Sequence, residues 1–146
     1  MKRYRLLRRR ALLGAMIALP GLSRGQAALA QASGSSRAAF MARAFACRDE
    51  SLRRGDQPYG AVVVRDGSIV GEGVSAVITR GDPSAHAERE AIRDALRRTG
   101  STQLSGCELY GTSRACGACE AAALQAGIAR MYYGPEIVDA GAPARG

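Results

Sequence analysis

Apolar residues recur at helical spacing over residues 37–54, where Phe40, Met41, Ala44 and Cys47 share one face. Residues 33–36 form a polar lead into this helix, with Ser35 or Ser36 as its expected cap, and Gly55 is a suitable stop. Two runs rich in valine and isoleucine follow, residues 59–65 and 68–77. Asp66 and Gly67 between them are a strong signal for a β-hairpin. A second amphipathic helix begins after Asp82, buries Ala91, Ile92, Ala95 and Leu96, and ends near Gly100. Residues 107–112 then read as a strand, 117–126 as a helix and 128–133 as another strand. The remainder, with two prolines, three glycines and few apolar residues, is expected to be largely irregular. Strands alternating with helices predict an α/β domain with a helix-covered sheet.

The beginning of the chain has another pattern. Lys2, Arg3, Arg5, Arg8, Arg9 and Arg10 precede an apolar run over residues 11–22, and small residues follow around Ala28, Ala30 and Ala32. A basic start, a short apolar core and an A-x-A site describe a secretory signal. The apolar run falls short of the roughly 20 residues needed to cross a bilayer. Within it, R-R-A-L-L (residues 9–13) resembles a twin-arginine signal, which is an address and not a membrane anchor. A general secretion signal holding paired arginines is the alternative. Residues 1–32 are therefore expected to be an export leader to the bacterial periplasm, 33–134 the functional domain and 135–146 an irregular tail.

That division changes the meaning of the charge. The full chain of 146 residues carries a formal +8. Seven of its 21 basic residues, and none of its 13 acids, lie in the expected leader. Fourteen basic residues against thirteen acids remain, a net charge of about +1. No basic tract interleaved with aromatics is left, so the charge does not predict a nucleic-acid partner.

The candidate chemistry lies in D-P-S-A-H-A-E (residues 82–88) and A-C-G-A-C (residues 115–119). His86 is the only histidine. With Cys116 and Cys119 it supplies three ligands for a tetrahedral zinc, leaving a fourth position for a water whose pKa the ion lowers. Glu88 is free to move protons. Residues two apart do not share a face inside a helix, so His86 and Glu88 converge only over a helix end. A cap at Asp82 or Ser84, with Pro83 in the first turn, would place them there. A cap at Thr112 or Ser113 would likewise bring Cys116 and Cys119 near a helix start, whose positive end favours thiolates. Cys47 and Cys107 read as small buried residues. An oxidising compartment would permit a disulfide between them, but the sequence does not establish their proximity.

Taken together, H-x-E followed by C-x-x-C resembles the signature of zinc deaminases. P-Y-G-A-V-V-V (residues 58–64), D-P-S-A-H-A-E-R-E-A-I-R (82–93), C-E-L-Y-G-T (107–112) and C-G-A-C (116–119) are similar, in order, to the cytidine deaminase superfamily, especially its guanine deaminase and tRNA adenosine deaminase branch. The resemblance implies a three-layer αβα cytidine-deaminase-like fold with a mixed central sheet, here C-terminally shortened. It implies Zn2+ held by His86, Cys116 and Cys119, with Glu88 as catalytic base and then acid. The implied reaction removes an amine from a free base, nucleoside or related small heterocycle of purine or pyrimidine type, with guanine the first candidate. The implied assembly is a homodimer.

The sequence departs from that pattern at Arg114 and Ala115, where the family usually has Glu-Pro. Ser75 stands where the guanine deaminase branch has an asparagine that contacts the base, which makes Ser75 the candidate substrate contact. Two other classes fit parts of the chain: a zinc-binding domain that has lost catalysis, and an exported C-x-x-C thiol–disulfide oxidoreductase, which leaves His86 and Glu88 unexplained.

Overall fold

The computed structural model describes residues 24–144, with side chains from residue 36. Residues 1–23, most of the expected export leader, lie outside the described residues. The elements are α1 (Arg24–Arg53), β1 (Gly60–Arg65), β2 (Ser68–Val74), α2 (Val77–Arg80), α3 (Ala87–Thr99), β3 (Glu108–Gly111), α4 (Gly117–Ala126), β4 (Arg130–Tyr133) and β5 (Val138–Gly141). They form an α/β fold around one mixed five-stranded sheet, ordered β2-β1-β3-β4-β5. Only β3 and β4, joined through α4, run parallel; the other neighbours are antiparallel.

The alternation of β1 divides the core. Ala61 and Val63 face the cluster built with Ala91, Ile92, Leu104 and Leu109, on the side covered by α3 and α4. Val62 and Val64 face Met41, Ala44, Tyr110 and Tyr132 on the α1 side. Cys107 belongs to the first cluster and Cys47 to the second, and both are free thiols. The sheet therefore separates them, and the disulfide that export would permit does not form.

The hairpin has the expected turn: Asp66 and Gly67 both have positive φ, 49° and 75°, as a type I′ turn requires. Three expectations need correction. Helix α1 starts at Arg24, so neither Ser35 nor Ser36 caps it. The alanine- and glutamine-rich residues before them have high helix propensity and continue the helix backwards. Strand β2 stops at Val74, short of the expected residue 77: Ser75 and Ala76 lie in neither element, and Val77 begins the short helix α2. The tail is not wholly irregular, because Val138–Gly141 forms an edge strand on β4. Ile137 packs against the α1-side core, and Arg130 Nε donates to both carboxylate oxygens of Asp139, at 3.0 and 2.8 Å. These contacts supply what the low apolar content of the tail does not. Among the described residues no helix is long and apolar enough to cross a membrane.

Candidate metal centre and acid–base site

Both helix starts lie later in the chain than their expected caps. His86 itself is the N-cap of α3, with extended backbone at φ −65° and ψ 148°. Asp82 instead closes the preceding turn, accepting from Ser84 N at 2.8 Å and from Ala85 N through its carbonyl at 3.0 Å. Cys116 is the N-cap of α4, at φ −76° and ψ 165°. Thr112 is engaged elsewhere, its hydroxyl accepting from Gly60 N at 3.2 Å across β1 and β3. An N-cap residue has left the helical spiral, so its side chain can fold over the helix end. His86 can therefore turn over the helix end on the side of Glu88, which i, i+2 geometry inside a helix would prevent, whereas Cys116 and Cys119, three residues apart, share one face of α4 in any case.

His86, Cys116 and Cys119 are brought together, each ligand atom within 4.8 Å of the others. Nδ1 of His86 lies 3.6 Å from Cys116 Sγ and 3.5 Å from Cys119 Sγ. A tetrahedral zinc with ordinary Zn–N and Zn–S bond lengths requires an N···S edge of about 3.6 Å. The donor set fits zinc in type and spacing.

Glu88 is 7% exposed, and its Oε2 accepts from Cys119 Sγ at 3.6 Å. Burial raises its pKa above the ordinary carboxylate value. Burial also pushes the Cys119 thiol upward, and the charge of Glu88 adds to the effect. Both effects favour the neutral thiol at Cys119, and a bound divalent cation would favour the thiolate.

A crevice of about 10 Å³ opens beside Glu88, at the carboxyl ends of the parallel strands β3 and β4, lined also by Gly111, Arg114, Glu120 and Tyr133. Its size suits about one water molecule. Arg114 is exposed at its rim, while Ala115 packs against the α3–α4 core. A larger groove of about 300 Å³ between α3 and α4, lined by Arg89, Ile92, Leu96 and Gln125, includes none of the cluster.

Ser75 is not a member of the crevice. It is 1% exposed, and its hydroxyl donates to Asp56 Oδ1 at 2.8 Å. Asp56 accepts four further hydrogen bonds: from Gln57 N at 2.8 Å, Ile78 N at 3.0 Å, Thr79 N at 2.8 Å and Thr79 Oγ1 at 2.8 Å. Burial opposes its ionisation, but the hydrogen bonds prevail and hold its pKa well below the usual carboxylate range. Nothing in the sequence pattern marks Asp56, a single acid in an expected loop. Its partners become neighbours only on folding.

Residues 35–135 match the family model for the cytidine and deoxycytidylate deaminase zinc-binding region. The guanine deaminase of Bacillus subtilis is 40% identical over 102 residues, covering 69% of this chain and 65% of that protein. The solved structure of that guanine deaminase superposes with a TM-score of 0.62 over 65% of this chain and 61% of the other. A structure from work on A-to-I editing by tRNA:A34 deaminases is 36% identical, with a TM-score of 0.64 over 66% of this chain and 75% of its own. The chain thus spans just under two thirds of the Bacillus enzyme's length. With a zinc-type His/Cys/Cys cluster inside the matched region, the chain belongs to the cytidine and deoxycytidylate deaminase family, with zinc as its cofactor.

Proposed function

We propose that the chain is a hydrolytic deaminase that removes the exocyclic amine of a free base, nucleoside or related small amino-heterocycle. The observation that carries this reading is the arrangement at the two helix ends: His86 Nδ1 lies at a zinc-type distance from both sulfurs, and the Glu88 carboxylate adjoins Cys119. His86, Cys116 and Cys119 would hold the ion. When bound, zinc would supply a water of lowered pKa and a positive charge that stabilises the oxyanion developing in the reaction.

Glu88 carries the proton traffic. Its carboxylate accepts a proton from the attacking water and delivers it to the ring nitrogen beside the carbon under attack. It then passes the remaining proton to the departing amine, so that water and the amine become a carbonyl and ammonia. Because the crevice beside Glu88 holds only a water-sized volume, the ring approaches from the open side, where Cys116 is exposed and His86 half-buried. Guanine is the first substrate to test, on the likeness to the Bacillus guanine deaminase. A thiol–disulfide oxidoreductase is disfavoured, since both sulfurs face one histidine nitrogen.

The deciding experiment is ammonia release from a panel of bases and nucleosides by zinc-loaded protein, with Glu88→Gln alongside. Turnover in the wild type and retained zinc without turnover in the variant support the reading. Wild-type activity in Glu88→Gln refutes the role of Glu88, and zinc binding without turnover on any amine favours a domain that has lost catalysis. We further propose export by the twin-arginine-like segment, with residues 1–32 as leader, and a homodimer in solution. Periplasmic fractionation of the full chain and light scattering test these two points.

A further inference from the structure

We infer that Asp56 is a positioning residue for the metal centre, holding the arm of residues 75–86 that ends in the ligand His86. The inference rests on the zinc reading of His86, Cys116 and Cys119. Helix α2 cannot cap itself, since Ala76 before it has no side-chain oxygen to offer. Two N–H groups of its opening turn, on Ile78 and Thr79, are taken by Asp56 Oδ2 at 3.0 and 2.8 Å, from more than twenty residues upstream. The other oxygen of Asp56 takes the hydroxyl of Ser75, so one carboxylate grips both ends of the turn from β2 into α2.

The arm is tied as one unit. Ala76 N donates to the Ala85 carbonyl at 3.0 Å, bringing the two ends of the loop together one residue before His86. Within the loop, Gly81 N donates to Ile78 O at 3.2 Å and Asp82 N to Val77 O at 3.1 Å. At its other side Asp56 is fixed to the end of α1: its own N–H donates to Ser51 O at 3.0 Å. Ser51 Oγ reaches Gln57 O at 2.5 Å and Ser75 O at 3.3 Å. The connection from α1 to His86 is thus continuous through Asp56. It also explains why Ser75 offers no hydroxyl to a substrate.

Asp56→Asn tests this, because an amide has one acceptor oxygen and cannot serve both sets of donors. Zinc affinity is measured by chelator competition, and the ligand field by the visible spectrum of the cobalt-substituted protein. Both are read at a temperature where circular dichroism shows the variant folded. Met41→Ala, which opens the core on the α1 side of the sheet, serves as a variant destabilised elsewhere. The expected result is zinc affinity lowered about tenfold in Asp56→Asn, the order seen when groups supporting a metal ligand are removed, with a changed cobalt spectrum. Met41→Ala should keep both.

Wild-type affinity and spectrum in folded Asp56→Asn would overturn the proposal. If that variant does not fold, Thr79→Val removes one hydroxyl bond and should weaken zinc about fivefold; no change there has the same overturning force. If the wild type takes up no metal, the zinc reading fails by itself. Amide hydrogen exchange over residues 76–86 then decides: acceleration in Asp56→Asn but not in Met41→Ala supports the arm, and equal exchange refutes it.

Discussion

Substitution of Gly73 by alanine should damage the metal centre without touching a ligand. Gly73 lies on β2 against the start of α3, and a Cβ there would sit 1.8 Å from the carbonyl oxygen of Ala87 and 2.5 Å from Ala91 N. Both obstacles are backbone, so no rotamer change relieves them. Reaching even a 3.0 Å contact requires the strand and helix to part by about 1.2 Å. Ala87 is the residue between His86 and Glu88, so this displacement falls on the ligand and the base together. Metal sites tolerate about 0.2 Å in ligand distance, and a misplacement near 1 Å can lower turnover about a hundredfold. Overpacking of this kind also costs about 1–3 kcal/mol of stability. The assay is zinc per folded chain, ammonia release and thermal unfolding of Gly73→Ala beside Gly117→Ala. Gly117 adjoins Cys116, but an added Cβ there meets nothing within 4 Å. Gly117→Ala should behave as wild type. Full zinc content and wild-type turnover in Gly73→Ala would refute the claim that close approach of β2 and α3 sets the site.

Cys116→Ser should lose zinc on dialysis, and unchanged metal content by elemental analysis would remove Cys116 from the ligand set. Asp56 has a folded-state pKa below the unfolded value of about 3.9, so its contribution to stability is present above that pH and is lost as the pH falls towards the folded value. Thermal unfolding of chelated protein between about pH 2 and 6 should therefore be steeper in wild type than in Asp56→Asn, and parallel curves would contradict the hydrogen-bonded carboxylate. Leu104 is fully buried in the cluster beneath α3 and α4. Its replacement by alanine should cost about 2–5 kcal/mol in denaturant unfolding, and a loss below about 1 kcal/mol would show that the core collapses around the gap.

Local pattern alone determined the amphipathic face of Met41, Ala44 and Cys47, the Asp66-Gly67 hairpin, the span of α4 and the four residues of the candidate site. Periodicity, turn chemistry and the short H-x-E and C-x-x-C spacings are set by neighbours in the chain; that His86 meets Cys116 and Cys119 from some thirty residues away was decided on folding. Tertiary structure decided the rest. The helices begin at His86 and Cys116 because the preceding residues are held by other contacts: Asp82 by its own turn and Thr112 by β1. Ser75 became a buried donor because Asp56, nineteen residues away, folds against it. Strand β5 exists because β4 offers an open edge to pair with and Asp139 reaches Arg130. Cys47 and Cys107 remain apart because the sheet passes between them. Such outcomes depend on partners distant in sequence, and short-range patterning carries no record of them.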